Sequence, residues 1–195
     1  MQLIDGVPRS IARSITKQQP KDAALVGTGM EVTAASAHFI SRAGRAHTKY
    51  VKLMLGVLCG AVIQVALVMD WVPSHDMKQA WTLRAKLLET CGDAPPTMLW
   101  GEKAFGSETW HRANWESTKT PSFAPVRVNN GGGNAGGFYR NIFATMRPHE
   151  CGGRWMCESV NSAIKRVSGS TLRSRKENTL FAEAALKVAA YAIKR

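Results

Sequence analysis

Cysteine is scarce and unpaired in this sequence: Cys59, Cys91, Cys151 and Cys157 include no CxxC pair, and two of them fall in apolar or helical runs. Such spacing argues against a disulfide framework and a zinc knuckle, which both need cysteines at recurring short intervals. His149 stands near Cys151 and Cys157, but the spacing matches no common zinc pattern. A reducing cytoplasm is the expected home. An apolar run long enough to cross a bilayer is also missing. Residues 53–69, LMLGVLCGAVIQVALVM, come nearest, yet they fall short of the roughly 18 to 20 residues needed, contain Gln64 and carry Cys59-Gly60 near their middle. They read as two buried strands joined by a tight turn near Gly60. The opening MQLIDGVPRS has Asp5 and Pro8 where a secretory leader needs an apolar core, so no leader is expected.

Acidic residues are few as well. Against 26 Lys and Arg stand 14 Asp and Glu, a formal net charge of +12, which points to a polyanionic partner, nucleic acid being the commonest. The charge is uneven: from Ala163 to Arg195 eight basic residues face two acidic ones, a net +6 and half of the total. Charge alone leaves DNA, RNA and an anionic membrane open. With 195 residues, 45% of them hydrophobic, the chain suits one domain with a substantial core.

Residues 1–23 are polar and mixed, with Pro8 and Pro20, and read as a lead-in; the domain itself is expected over 24–195. Ala24 to Val26 predicts a short strand ending at Gly27. Lys49 to Cys59 and Ala61 to Met69 are the two buried strands. Met77 to Thr90 predicts a helix with Met77, Ala80, Trp81, Leu83, Leu87 and Leu88 as its apolar residues and Asp76 as its cap. Thr97 to Trp100 reads as a strand, Ser107 to Glu116 as a helix and Ser122 to Val128 as another strand. Residues 131–136 satisfy G-x-G-x-x-G, but five of the seven positions from 131 to 137 are glycine and no early βαβ unit carries them, so a flexible loop is the better reading than a dinucleotide site. The last helix follows a capping box of Ser174 and Glu177, with Leu180, Phe181, Ala184, Ala185, Val188 and Ala192 on one face. The six tryptophans are scattered over many elements and read as core or boundary residues, not as base-stacking platforms. Together the order is α/β with a mixed sheet, and an antiparallel hairpin followed by parallel crossovers is what an RNase H-like fold produces.

Within RWMCESVNSAIKR, residues 154–166, one carboxylate stands among basic residues. On a helix Arg154, Glu158, Ser162 and Lys165 fall on one face, and Val160, Ile164 and Val167 on another. An i,i+4 surface salt bridge from Arg154 is the ordinary explanation for Glu158.

The stretches AASAHFISRAG, KYVKLMLGVLCG, ALVMDWVPSHDM, LWGEKAFGSE, RWMCESVNSAIKR and GSTLRSRKENTLFAEAALKVAAYA together resemble the DDE transposases of bacterial insertion sequences, from about Leu25 to the end. The resemblance implies an RNase H-like core whose three carboxylates hold two Mg²⁺ (or Mn²⁺) ions for DNA cleavage and strand transfer during transposition, a form of DNA recombination. One branch carries a helix with the pattern Y-x2-R-x3-E-x6-K, in which the Glu is the third metal ligand and the Arg and Lys lie near phosphate. Arg154, Glu158 and Lys165 keep that spacing here, and Arg166 adds a cation. On this resemblance Glu102 and Glu158 are the catalytic, metal-binding residues, and Arg154, Lys165 and Arg166 contact DNA phosphates. A cytoplasmic, nucleoid-associated location is implied. The implied partners are the ends and target of the element, further copies of the chain, and a full-length relative.

Four positions depart from the pattern. Val26 stands where the family has its first Asp, and an isopropyl group cannot bind a metal. Glu102 replaces the second Asp with a longer carboxylate, Gly106 replaces an Asp, and Cys151 replaces the signature Tyr. Asp22, Glu31, Asp70 and Asp76 are the candidate acids to stand in for Val26. Among these, Asp76 is better read as a helix cap and its neighbour His75 as a packing or hydrogen-bonding residue. Family members also carry an N-terminal DNA-recognition segment, whereas the first strand here starts near residue 24, so a shortened transposase with impaired or no activity is expected. The rival is a catalytically silent DNA-binding or oligomerising remnant that regulates a full-length transposase; a third reading is a basic binding module unrelated to transposition.

Overall fold

In a computed structural model, residues 22–32, 49–125, 136–145 and 152–194 are described. Three long or medium strands come first: β1 (Ala23–Val32), β2 (Lys49–Leu58) and β3 (Ile63–Trp71). β1 does not end at Gly27. It continues to Val32 because every residue pairs antiparallel with β2, from Ala23 opposite Leu58 to Val32 opposite Lys49, and ladder pairing outweighs the local cost of Gly27 and Gly29. β2 and β3 form the expected hairpin, but the left-handed residue of its turn is Val62, at φ 51°, with its N–H bonded to the Cys59 carbonyl.

After the hairpin come α1 (Asp76–Cys91), β4 (Leu99–Gly101), a 3-10 turn (Lys103–Phe105), α2 (Glu108–Thr118), β5 (Ser122–Phe123), α3 (Phe138–Thr145), α4 (Gly152–Ser168), β6 (Thr171–Leu172) and α5 (Glu177–Lys194). β5 is shorter than its sequence suggests; residues 126–128 of that prediction, most of the glycine-rich loop, His149 and Cys151 lie outside the described residues. The sheet order is β3-β2-β1-β4-β5, with β6 pairing the far end of β1. β1, β2 and β3 are antiparallel, whereas β4 and β6 run parallel to β1 and β5 runs parallel to β4. The protein is therefore α/β with a mixed six-stranded sheet flanked by helices.

Period-two alternation along β1 and β2 divides the core. Ala24, Val26 and Met30, with Val51, Leu53, Leu55 and Val57, face α4 and α5 through Val160, Ile164, Leu180, Ala184 and Val188. Ala23, Leu25, Met54 and Leu58 face the other way, onto Ala80, Leu83 and Leu87 of α1 and onto Phe105 and Trp110. Trp81 is exposed on α1, its ring meeting Trp110 edge-on at 5.2 Å, and Val167 of α4 is 51% exposed.

At the helix N-termini one serine caps, and the two caps read from the sequence do not form. Ser107 does cap α2, accepting from the Trp110 N–H at 3.2 Å. Asp76 does not cap α1: His75 is the N-cap, without a side-chain bond, while Asp76 forms an ion pair with Lys52 of β2. The Ser174–Glu177 box is absent too, because α5 begins at Glu177, whose carboxylate accepts from Trp71 Nε1 at 3.0 Å. Along β3, the outermost strand on its side, two carbonyls are met by α1 side chains: Lys86 Nζ donates to Leu67 O at 3.1 Å and Thr90 Oγ1 to Val65 O at 3.4 Å.

Candidate functional site

Val26, Glu102 and Glu158 are 132 positions apart from first to last, yet the fold gathers them. They line one narrow cleft of about 10 Å³ together with Ala24, Leu25, Trp100 and Gly101. Each reaches it by a different route. Val26 lies mid-strand on β1, on the face covered by α4. Glu102 follows β4 directly, β4 being the parallel neighbour of β1, with Leu25 opposite Gly101. Glu158 projects from α4 one turn before Ala163 and Ile164 anchor that helix to the core, so its side chain is exposed while its backbone is held.

Glu102 is fixed by local packing. Gly101 leaves no room for a side chain, since a Cβ there would lie 2.9 to 3.0 Å from Phe105 atoms, and the Phe105 N–H closes the following turn on the Glu102 carbonyl at 2.9 Å. Phe105 is fully buried and meets Trp110 at 5.6 Å between ring centroids.

Lys165 stands two helical turns beyond Glu158, half-buried, and Arg166 beside it is exposed. The side chains of Arg154 and Cys157 lie outside the described residues. Beyond the far side of Glu102 opens a second cleft, of about 660 Å³, lined by Gly27, Thr28, Gly29, Lys52, Asp76 and residues 72–75. Sequence reasoning missed this cleft, for its walls come from β1, β2 and the β3–α1 turn; the local signal was the glycine pair Gly27 and Gly29, which lines it.

None of the acids considered as replacements for Val26 occupies its place. Asp22 joins β1 to β4, accepting from Thr97 Oγ1 at 2.5 Å and Trp100 Nε1 at 3.1 Å. Asp70 accepts from Ser74 Oγ at 2.7 Å, from the Trp71 N–H at 2.9 Å and from Gln79; the Ser74 bond first, then the Trp71 N–H and Lys78, hold its carboxyl below the usual range against burial. Asp76 sits 3.5 Å from where a Gly27 Cβ would be, and neighbouring strand residues face opposite ways, so it lies against the face of β1 turned away from Val26. Glu31 is five residues along the strand, about 17 Å at strand spacing.

A two-metal centre needs carboxylates from three sides of such a cleft, and here one side is a valine. Among the described residues no three His, Cys, Asp or Glu side chains come together as a metal-holding group. The donor set therefore does not fit the Mg²⁺ pair that the resemblance implies. Elsewhere, the buried thiols of Cys59 and Cys91 are pushed up to about 12 and about 11, by burial and, for Cys59, by the nearby Asp22 charge, which makes them poor nucleophiles and poor ligands.

No family model matches this chain, and no curated protein matches it at a significant level. Among the described residues no helix is long and apolar enough to cross a membrane.

Proposed function

We propose that this chain is an RNase H-like domain of the insertion-sequence DDE transposase type, acting on DNA, whose strand-cleaving centre has lost a metal ligand and with it most or all of its activity. The observation that carries the reading is the convergence of Val26, Glu102 and Glu158 on one cleft from three elements distant in sequence. That three positions singled out by the resemblance line one cleft supports the reading. The strand order, an antiparallel trio followed by parallel strands on the β1 side, is compatible with the same fold.

In such a centre the carboxylates would hold divalent ions that polarise the scissile phosphate. Val26 supplies no donor, and Glu102 extends one methylene further than an Asp, displacing any ion from a geometry that Mg²⁺ tolerates poorly. What the remaining side chains still offer is phosphate binding: Lys165 and Arg166 bring positive charge to the same helix as Glu158. A silent DNA-binding remnant, able to join a full-length relative, is thus the second reading, favoured by the valine at position 26.

The test is nicking of supercoiled plasmid carrying candidate element ends, with Mg²⁺ or Mn²⁺, by the natural chain and by Val26→Asp/Glu102→Asp. The repaired protein is expected to nick at least about 100-fold faster, the scale on which one lost electrostatic group changes such rates. Its melting temperature should rise with Mn²⁺ while that of the natural chain stays flat. Equal nicking by both proteins would show that the valine is no defect; nicking by neither, with no Mn²⁺ response in the repaired protein, would defeat the transposase reading.

A further inference from the structure

Between α4 and α5 the chain runs through a loop that carries three cations in four residues, Arg173, Arg175 and Lys176, all exposed. Among the described residues these three, and Arg166 just before them, form no side-chain ion pair. Exposed, closely spaced cations repel one another and ordinarily sit on flexible tails. Here they sit on a clamped loop.

The clamp comes from two α5 residues one turn apart. Lys187, largely buried, donates its ammonium to the Ser168 carbonyl at 2.8 Å and the Thr171 carbonyl at 2.7 Å, holding the turn at Gly169, whose φ of 81° lies in the left-handed region. Glu183 accepts from the Arg173 N–H at 3.0 Å and the Ser174 N–H at 2.9 Å, and lies 3.8 Å from Lys187. Burial alone would raise the Glu183 carboxyl, but the Ser174 and Arg173 hydrogen bonds and the Lys187 charge outweigh it and keep the group below the usual carboxylate range. A third tie comes from β6, which pairs Thr171 and Leu172 with Glu31 and Val32 of β1. Backbone that is bonded on three sides is already ordered, so binding a rigid polyanion has only the side chains of these cations left to order.

Position matters as much as charge. Leu172 lies opposite Val32, six residues along β1 from Val26, which is about 20 Å at strand spacing. Lys165 and Arg166, in the last turn of α4, lie between Glu158 and this loop along the chain. We infer that the Arg173–Lys176 loop, clamped by Glu183 and Lys187, is a preformed binding platform for the phosphate backbone of duplex DNA, reached about six base pairs from the Glu102–Glu158 cleft at the 3.4 Å rise of the duplex. This rests on the DNA-binding part of the proposed function. It adds the element that grips the duplex and the reason that element is rigid.

Binding of the full chain to a 30-base-pair duplex, followed by fluorescence anisotropy from about 50 to 200 mM salt, provides the test. Removing three phosphate contacts with Arg173→Ala/Arg175→Ala/Lys176→Ala should reduce the slope of log affinity against log salt by up to about 2.7, at about 0.9 per contact. A control that loses the same charge elsewhere, Lys78→Ala/Arg112→Ala/Lys119→Ala, should change it by less than about 1. Equal changes in the two variants, or none in the first, would overturn the inference. So would loss of binding to phosphatidylserine vesicles in the first variant while duplex binding stayed intact. The clamp has a sharper signature. Glu183→Ala makes the protein more positive, so bulk charge predicts tighter binding, whereas loss of the clamp predicts binding weakened about three-fold or more in protein whose circular dichroism is unchanged. Tighter or unchanged binding would remove the clamp from the proposal. A repaired Val26→Asp/Glu102→Asp protein that nicks DNA but binds it independently of the platform would refute this inference alone. A platform-dependent binder that never nicks after repair would refute the cleavage reading alone.

Discussion

Gly101 illustrates how one residue sets the candidate site, because the position next to Glu102 tolerates no side chain. With Phe105 atoms 2.9 to 3.0 Å from any Cβ there, Gly101→Ala should cost about 1 to 3 kcal/mol by overpacking, read from urea denaturation, and should shift Glu102 with the turn that follows it. His111 gives a pH handle on the same region. It is buried against Ser122 Oγ at 2.7 Å, and burial lowers its affinity for a proton despite opposing help from Ser122 and Glu108. The unfolded chain then binds the extra proton first, so stability should be flat above about pH 6.5, the ordinary histidine value, and decline as pH falls below it. His111→Gln should flatten that decline in melting curves recorded from about pH 7.5 to 5. Cys59 and Cys91, with raised thiols, should resist iodoacetamide in folded protein and react only on unfolding, as mass spectrometry would record. At this scale the sequence singled out Val26, Glu102 and Glu158, which the fold sets around one cleft. It was least informative about Asp76, since the ion pair that draws Asp76 away from its helix end involves Lys52, 24 positions earlier.

For whole elements, periodicity located each helix and strand wherever the pattern was governed by one neighbour. α4 was legible because Val160 and Ile164 recur at helical spacing and do face the sheet. Val167 continues the pattern yet is exposed and takes no part in the core, which the helix's own sequence does not reveal. β1 was only one-third legible: its glycines look like a stop, and only the ten paired residues of β2 reveal that they are not. Two-residue strands such as β5 and β6 have too few positions to show any alternation. The packing of α4 has a measurable consequence. Ile164 is among the largest fully enclosed side chains, and Ile164→Ala should cost about 2 to 5 kcal/mol in equilibrium unfolding.

Taken as a whole, the molecule joins a mixed sheet with two separate apolar faces to a net charge of +12. Self-repulsion at that charge opposes compaction and is screened by salt, so the melting temperature should rise by a few degrees between about 0.05 and 0.3 M NaCl. The layered α/β class was legible because the hairpin, crossovers and terminal helices appear in order along the chain. The pairing of β6 with β1 was not, for it joins residues 140 positions apart through backbone bonds that leave no mark on side-chain pattern. The contacts from Lys86 and Thr90 to β3 bear on how copies of this protein behave beside one another. An outermost strand invites a neighbour to extend the sheet, and repetition of that step grows fibrils. By occupying the Leu67 and Val65 carbonyls, α1 leaves an incoming strand fewer acceptors there and puts an ammonium group in its path. Those two contacts make β3 a poorer template for a second copy's strand than a bare edge would be.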